Sequence, residues 1–577
     1  MNARIGALAV LLAIASRHAW SQEQPAQHAA TPAAPALPAA ELRGELDEVR
    51  DLLRTQAQIL EAQRRQIDRQ QAQIDELRGR LGLTTSGSEP AALAGAAELD
   101  REVQSLRRSS PSQPHVQLAS LERVVAPAPA PPQQGSENAD RPLSVHLGQA
   151  SLTPGGWVDL TGYYRTRNVG SGIGTAFATI PYSDTVQGGL SESRLTAANS
   201  RITLRADENF SGTRVFGYAE ADFNGVLPGN AYVSTNSSSL RLRVFFTDIA
   251  RGRWEFLGGQ SWSLMTPNRV AISPFLSEIY NTLHLDTNYQ VGLTYARQTQ
   301  LRAVYHFPRR VELALSAENP QQYSGSAATF PALFSTTQTD TNSSSGSSGG
   351  GTATPTLHPD FIAKLAWDPQ WMQRRWHLET SGLLTPVAIL APVSVTRTAQ
   401  HKDIHEGGGV GLGANLEGAP NFHLIMTSFW SDGGGRYIGG LGPGFVVEQK
   451  GTTTAPFQAQ LIHSGSGIAA AEWQATRHTL ASLTFSAAYF SRAFSIDPST
   501  GKLVGYGFEG SANSNNRLLR EATFATQTTL WKQLGYGSVQ MITQSSYIIR
   551  APWYVAPDTP ATAHVFSGWG NLRYVLP

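Results

Sequence analysis

From Gly155 to the C-terminus, hydrophobic and polar residues alternate with a period of two. Val158, Leu160, Gly162 and Tyr164 alternate with Asp159, Thr161, Tyr163 and Arg165. Ile202, Leu204 and Ala206 alternate with Arg201, Thr203, Arg205 and Asp207, and Leu240, Leu242, Val244 and Phe246 with Arg241, Arg243, Phe245 and Thr247. Phe361, Ala363, Leu365 and Trp367 share a face opposite Asp360 and Lys364, and Leu483, Phe485, Ala487 and Tyr489 form another such face. Period-two alternation predicts strands with one apolar and one polar side, which fits a soluble sandwich as well as a barrel. The connections decide between them. Strands are expected at about 156–168, 193–207, 212–224, 238–250, 253–262, 298–307, 310–319, 358–368, 374–384, 406–417, 420–431, 464–477, 479–491, 521–533, 535–549 and 562–575. The links between these sixteen alternate between short turns, as at Ser211-Gly212 or Leu534-Gly535, and long loops, as from Gln321 to Leu357. Short turns at one end and long loops at the other are the signature of an outer-membrane barrel. An even strand count returns both barrel ends to the short-turn, periplasmic side. Ala455 to Ile462 reads as loop, because His463-Ser464-Gly465-Ser466-Gly467 interrupts the run.

Ahead of the barrel the period changes to seven. Leu46, Leu53, Leu60, Ile67, Ile74 and Leu81 mark one seam position, and Leu42, Val49, Gln56, Gln63, Gln70 and Leu77 the other. This is the heptad pattern of a left-handed coiled coil, with polar core residues that restrict its register. The fold class expected is therefore an all-β transmembrane barrel of porin type, with about 16 antiparallel strands and an N-terminal α-helical coiled coil. The expected segments are a signal peptide at 1–21, a disordered Ala/Pro/Gln stretch at 22–40, the periplasmic coil at 41–83, a flexible linker at 84–154 and the barrel at 155–577. The leader rests on Arg4, the apolar run Ile5 to Ala15, and the small-x-small site Ala19-Trp20-Ser21. That run is too short to span a bilayer as a helix.

Composition supports this reading. Charged residues make up 15% of the chain, below the quarter usual for soluble proteins. Mean hydropathy is only −0.23, too polar for a bundle of membrane helices. Strands that give half their residues to lipid and half to water satisfy both numbers. The absence of Cys excludes disulfides, thiolate metal sites and a lipidated N-terminal Cys. A net charge of +1 gives no global field for nucleic acid.

The polar faces carry the candidate chemistry. Arg165, Arg167, Arg201, Arg205, Arg241, Arg243 and Arg302 are expected to line the lumen, several on neighbouring strands. A guanidinium ladder in an aqueous pore attracts anions and holds carboxylates in forked geometry. Asp159, Asp207, Glu220 and Asp222 share that face, so cross-strand ion pairs that stiffen the wall are the competing reading.

Leu240-Arg241-Leu242-Arg243 followed by Gly258-Gly259-Gln260-Ser261-Trp262-Ser263 resembles the DcaP-like porins. Further segments in matching order are Asn199-Ser200-Arg201, Gln300-Leu301-Arg302, Gly407 to Asn415, Gly433 to Ile438 and Leu530-Trp531. The resemblance covers the barrel and extends to the coil. It implies a homotrimer of 16-stranded barrels in outer-membrane lipid, passing small anionic solutes, dicarboxylates among them. It also implies that the connection Leu264 to Arg297 folds inward to narrow the channel, bringing Asn268, Arg269, Glu278, Tyr280, His284 and Asp286. The ending Leu576-Pro577 departs from the terminal aromatic residue that such barrels usually carry for assembly.

Other patterns carry less. Gly409-Val410-Gly411-Leu412-Gly413 lacks the spacing and strand–helix context of a dinucleotide loop. His401 and His405, beside Asp403 and Glu406, fall in an expected flexible loop and read as incidental rather than a metal site. Gly349 to Gly351 has no P-loop Lys. No nucleophile–base pair stands out, and no enzyme activity, metal or cofactor is expected. Passive diffusion of small hydrophilic solutes with an anion preference is the leading expectation. A structural tether or adhesin, with the coil reaching toward the cell wall, and an outer-membrane-embedded hydrolase are the alternatives.

Overall fold

The computed structural model describes residues 144–225, 239–275, 283–325, 327–339, 357–394, 397–439, 442–449 and 456–577. The expected leader and coil, including Leu46, Leu53, Leu60, Ile67, Ile74 and Leu81, lie outside the described residues, as do Glu278, Tyr280 and Gly349 to Gly351.

Sixteen antiparallel strands close into a barrel. They are β1 (Ala150–Arg165), β2 (Glu192–Thr196 continued by Arg201–Phe210), β3 (Thr213–Asp222), β4 (Arg241–Arg251), β5 (Trp254–Trp262), β6 (Arg297–Phe307), β7 (Val311–Glu318) and β8 (Asp360–Trp367). The second half is β9 (Arg374–Ser394), β10 (Arg397–Ala419), β11 (Phe422–Asp432), β12 (His463–Gln474), β13 (Thr479–Phe490), β14 (Asn516–Gln533), β15 (Gly537–Pro552) and β16 (Ala563–Val575). Each strand pairs with the next, and β16 pairs with β1 from Trp157↔Val575 to Arg165↔Ser567, which leaves no free edge around the cylinder. Closure matters because an unpaired edge in hydrocarbon would cost several kcal/mol for each lost hydrogen bond.

The period-two pattern has the consequence its chemistry requires. Along β1, Asp159, Thr161, Tyr163 and Arg165 are buried, while Val158, Leu160 and Tyr164 are exposed on the outside. The same holds on β8, where Lys364 points inward between exposed Phe361, Leu365 and Trp367. Leaving a Leu, Ile or Phe side chain in water forgoes roughly 1.5–3 kcal/mol each, so a continuous outer belt of them is suited only to lipid. Trp254, Trp367, Trp473, Trp531 and Tyr574 ring the short-turn end of that belt, where amphipathic rings sit at the headgroup level.

Four local features depart from the sequence expectation. First, β2 is broken at Ala197 to Ser200. Trp157 Nε1 donates to Asn199 O at 2.9 Å, and Asp159 N donates to Ser200 Oγ at 3.0 Å, so β1 seals the gap. Second, the face assignment on β4 holds only as far as Arg243. A bulge opposite Glu220 and Ala221 puts both Arg243 and Val244 inward, so Phe246 is buried and Phe245 faces out. One inserted residue reverses a period-two pattern. Third, residues 385–394 and 397–405, expected as loop, are strand: β9 and β10 run on as 21- and 23-residue strands, paired as far as Ser394↔Arg397. His401 and His405 therefore lie on β10, where His405 Nε2 is 2.9 Å from Asp403 Oδ2. Fourth, Phe457–Leu461 is a strand. It pairs with Phe445–Gln449 in a separate two-stranded sheet over the long-loop end, so the barrel count stays at sixteen.

The interior is packed rather than empty along much of its wall. Buried Ile180, Leu264, Met265, Val291, Tyr437 and Ile438 come from connections that fold inward. They meet inward-facing Val304, Ile362, Leu383, Phe429, Leu519 and Val565 of the strands.

Candidate pore lining and inner loop

The described parts of the connection between β5 and β6, residues 263–275 and 283–296, lie inside the barrel, and wall side chains hold them by their backbone. Glu318 on β7 accepts from Leu264 N at 2.7 Å, Glu312 on β7 from Ile272 N at 2.7 Å, and Asp368 from Ala271 N at 3.0 Å. Glu379 on β9 accepts from Asn268 N at 3.2 Å, and Glu521 on β14 from Val291 N at 2.9 Å. Gln544 on β15 accepts from Leu285 N at 2.6 Å. An irregular segment cannot satisfy its own N–H groups, so placing it inside a barrel demands acceptors on the wall. Farther along, Gly292 N donates to Gly439 O at 2.7 Å and Tyr295 N to Tyr437 O at 2.9 Å, which fastens this segment to the loop after β11.

The side chains of the inner loop are similarly engaged. Asn268 is buried, donates to Ser273 O at 3.0 Å, and accepts from Lys364 Nζ at 3.0 Å. Arg269 reaches Glu472 on β12, with one contact at 3.0 Å. Asp286 is buried and accepts from Thr175 N at 3.0 Å and Asn288 N at 2.9 Å. Burial pushes the Asp286 carboxyl above its ordinary range and the His284 imidazole down to about 3, so His284 is neutral at any physiological pH.

The other side of the lumen, β1 to β6, is basic. Arg243 bonds Glu220 Oε1 at 2.6 Å, Asp222 Oδ2 at 2.8 Å and the Tyr289 hydroxyl of the inner loop at 3.0 Å. Arg241 shares Asp222 at 2.8 and 3.0 Å. Arg201 lies 3.1 Å from Glu220 Oε1, off the hydrogen-bonding direction, and stacks 4.2 Å from the Trp157 ring centre. Its Nε and Nη1 have no acceptor among the described residues although the side chain is 5% exposed. A fourth guanidinium, Arg297 at the start of β6, was not singled out from the sequence. It sits 5.8 Å from the Trp262 ring centre, as does Arg243, and contacts no carboxylate among the described residues. Three guanidiniums thus share two carboxylates, Glu220 and Asp222, and the fourth touches neither, leaving a local excess of two positive charges.

The remaining arginines are engaged individually. Arg165, fully buried, bonds Glu192 at 2.7 Å and Gly172 O at 2.8 Å. Arg167 donates to His564 O and Gly188 O, and Arg302 to Trp262 O at 2.6 Å. Arg205 pairs with Asp207 on its own strand at 2.6 Å. Asp159 pairs with Arg573 at 2.7 Å, another residue not singled out beforehand. Arg297 opens its strand, before the alternation begins, whereas Arg573 stands between outward Leu572 and Tyr574, an alternation that marks it as inward. Among the described residues no group of three or more His, Asp or Glu is placed to hold a metal ion.

No family model and no curated protein matches the chain. Among solved structures, the crystal structure of the outer membrane channel DcaP of Acinetobacter baumannii aligns with a TM-score of 0.51 at 15% identity, covering 74% of this chain and 97% of that one. OmpT of Vibrio cholerae aligns at 0.39 and 8% identity over 75% and 99%, and OprB of Pseudomonas putida at 0.37 and 9% over 73% and 94%. The described part of the chain has a DcaP-like porin fold.

Proposed function

We propose that the chain is an outer-membrane porin through which small hydrophilic solutes diffuse passively, with a preference for anions such as dicarboxylates. The observation that carries the preference is the division of charge inside the barrel. Acids of β7, β9, β12 and β14 are engaged with the inner loop, while three guanidiniums on β2 and β4 share two acids and Arg297 on β6 contacts none among the described residues. A cationic wall along a narrow aqueous channel concentrates anions, and Arg241 is more exposed on it than Arg201 or Arg243. Here Arg165, Arg167 and Arg302 act mainly by shaping the wall, and Asn268, Arg269 and Asp286 by fixing the inner loop that sets the bore.

The heptad segment before the barrel is assigned to the periplasm, where it holds three copies together. A diffusion pore needs no catalytic group, and the reading includes none.

Planar-bilayer recording of the purified protein under a salt gradient tests this. Three-step conductance, a reversal potential on the anion side and flicker on adding a dicarboxylate are expected. Folded, inserted protein that fails to conduct would remove the diffusion reading and favour a tether.

A further inference from the structure

The outer belt of the barrel contains one cation. Among the described residues between the two rims, Arg520 on β14 is the sole Lys or Arg that faces outward, and it is exposed with no carboxylate partner. It stands at the end of a lateral row set by the strand register: Leu412, Ser428, Gly467, Ala487, Arg520. The middle of that row is small, and larger outward residues stand above and below it. Trp430 and Tyr489 lie one row nearer the long-loop end, with Met426, Phe485 and Tyr547 one row nearer the short turns. The result is a groove on the lipid-facing surface. Two contiguous hollows of about 600 and 480 Å³ share Gly467 and Ala487, and Arg520 lines the larger.

More positive charge lies above the groove. Arg492 and Arg517 approach one Trp553 ring, 5.4 and 5.7 Å from its centre, and that ring is 6.2 Å from Tyr489 in the groove wall. Neither contacts a carboxylate among the described residues. An apolar furrow in the membrane belt therefore leads past Arg520 to two further guanidiniums at the long-loop end, and none of the three contacts a carboxylate among the described residues. A charged side chain on a lipid-facing strand is costly unless it reaches the interface or finds a counter-ion there.

We propose that this groove binds a phosphorylated, acylated glycolipid of the outer leaflet, acyl chains along Gly467 and Ala469 and phosphate on Arg520 with Arg517 and Arg492 above. The inference rests on the outer-membrane reading above, which turns the long-loop end outward. Charge selects this occupant over a second copy of the chain. Outward-facing acids on the described strands lie only at the rims: Glu208 beside a short turn, and Glu406 and Asp432 at the long-loop end, held by His358 and His463. Asp432 is two rows above the level of Arg520. A copy at the same membrane depth would cover Arg520 with apolar side chains and strand its charge.

The test uses the full-length protein in detergent, with bound lipid counted by mass spectrometry. Three probes are offered: a diphosphorylated acylated glycolipid, the same lipid after phosphatase treatment, and phosphatidylglycerol. Retention of the phosphorylated glycolipid alone is expected. It should fall at least ten-fold in the R492Q/R517Q/R520Q variant and in Ala487→Trp, which fills the groove. Conductance should be unchanged in the arginine variant, which alters only lipid-facing and rim positions and keeps the test intact should Ala487→Trp fail to fold. Equal retention of the dephosphorylated lipid or of phosphatidylglycerol, or undiminished retention by the arginine variant, would overturn the proposal. So would efficient chain-to-chain disulfide formation by Ala487→Cys. Loss of conductance in the unaltered protein with lipid retention intact would count against the porin reading alone.

Discussion

Replacing Arg297 by Gln removes one positive charge from the basic wall without stranding an acid, because Arg297 rests on the Trp262 ring and pairs with no carboxylate among the described residues. An ion passing at about 5 Å in water-like dielectric feels about 0.8 kcal/mol from one unit charge. Screening with a Debye length of about 10 Å reduces this to about 0.5 kcal/mol. The energy has opposite sign for an anion and a cation, so their ratio changes by about 1 kcal/mol, or roughly five-fold. Lower effective dielectric near the protein wall only enlarges the effect. The assay is the reversal potential of Arg297→Gln in planar bilayers under a potassium chloride gradient, with heat-modified gel migration confirming a folded barrel. A permeability ratio within two-fold of the unaltered channel would refute the reasoning, since it would mean that ions do not pass this wall.

Arg243→Gln should behave differently. It leaves Glu220 with Arg201 and Asp222 with Arg241 as their remaining guanidinium partners and releases Tyr289, so we expect a loss of about 1–3 kcal/mol in stability, read as a lower denaturant midpoint for unfolding. Replacing Glu312 and Glu318 together by Ala leaves the N–H groups of Ile272 and Leu264 without acceptors, at about 1–3 kcal/mol each. Single-channel traces of that variant should be noisier and larger in mean conductance, and identical traces would show that these acids do not hold the loop. Gly259, at φ +134° on β5, has room for no side chain: a Cβ there would lie 2.4 Å from Phe245 O. Gly259→Ala should reduce the yield of refolded barrel several-fold, measured by the same gel shift. Changing Leu60 and Ile67 to Lys should convert trimers to monomers in chemical cross-linking while leaving single-barrel conductance intact.

The strands were legible because a barrel wall imposes one simple rule: each residue faces either lipid or lumen. That rule places Asp159, Arg165, Arg201 and Lys364 inside without any knowledge of their partners. It fails where the backbone inserts a residue. Arg243 and Val244 both turn inward, and nothing in the run Leu242 to Phe246 marks the bulge. It also fails where polarity misleads. Residues 385–405 contain two prolines and several polar side chains and read as loop, yet 385–394 and 397–405 extend β9 and β10 beyond the pairing of β9 with β8, where no lipid dictates the pattern. The inner loop presents the opposite difficulty. Its anchors are wall acids on five elements distant in sequence, so the contacts between Leu264 and Glu318 or Val291 and Glu521 follow from closure of the barrel and not from any local motif.

Those anchors also tie the bore of the channel to its sign. A shortened variant lacking the inner loop would widen the passage and, at the same time, uncover Glu318, Glu472 and Glu521, while Glu312 keeps His306 and Glu379 keeps Lys364. The interior would then present three uncovered acids against the small basic excess on the far wall. One deletion would therefore be expected to widen the passage and shift its preference toward cations, so the loop works as a mask over charge as much as an obstacle to size.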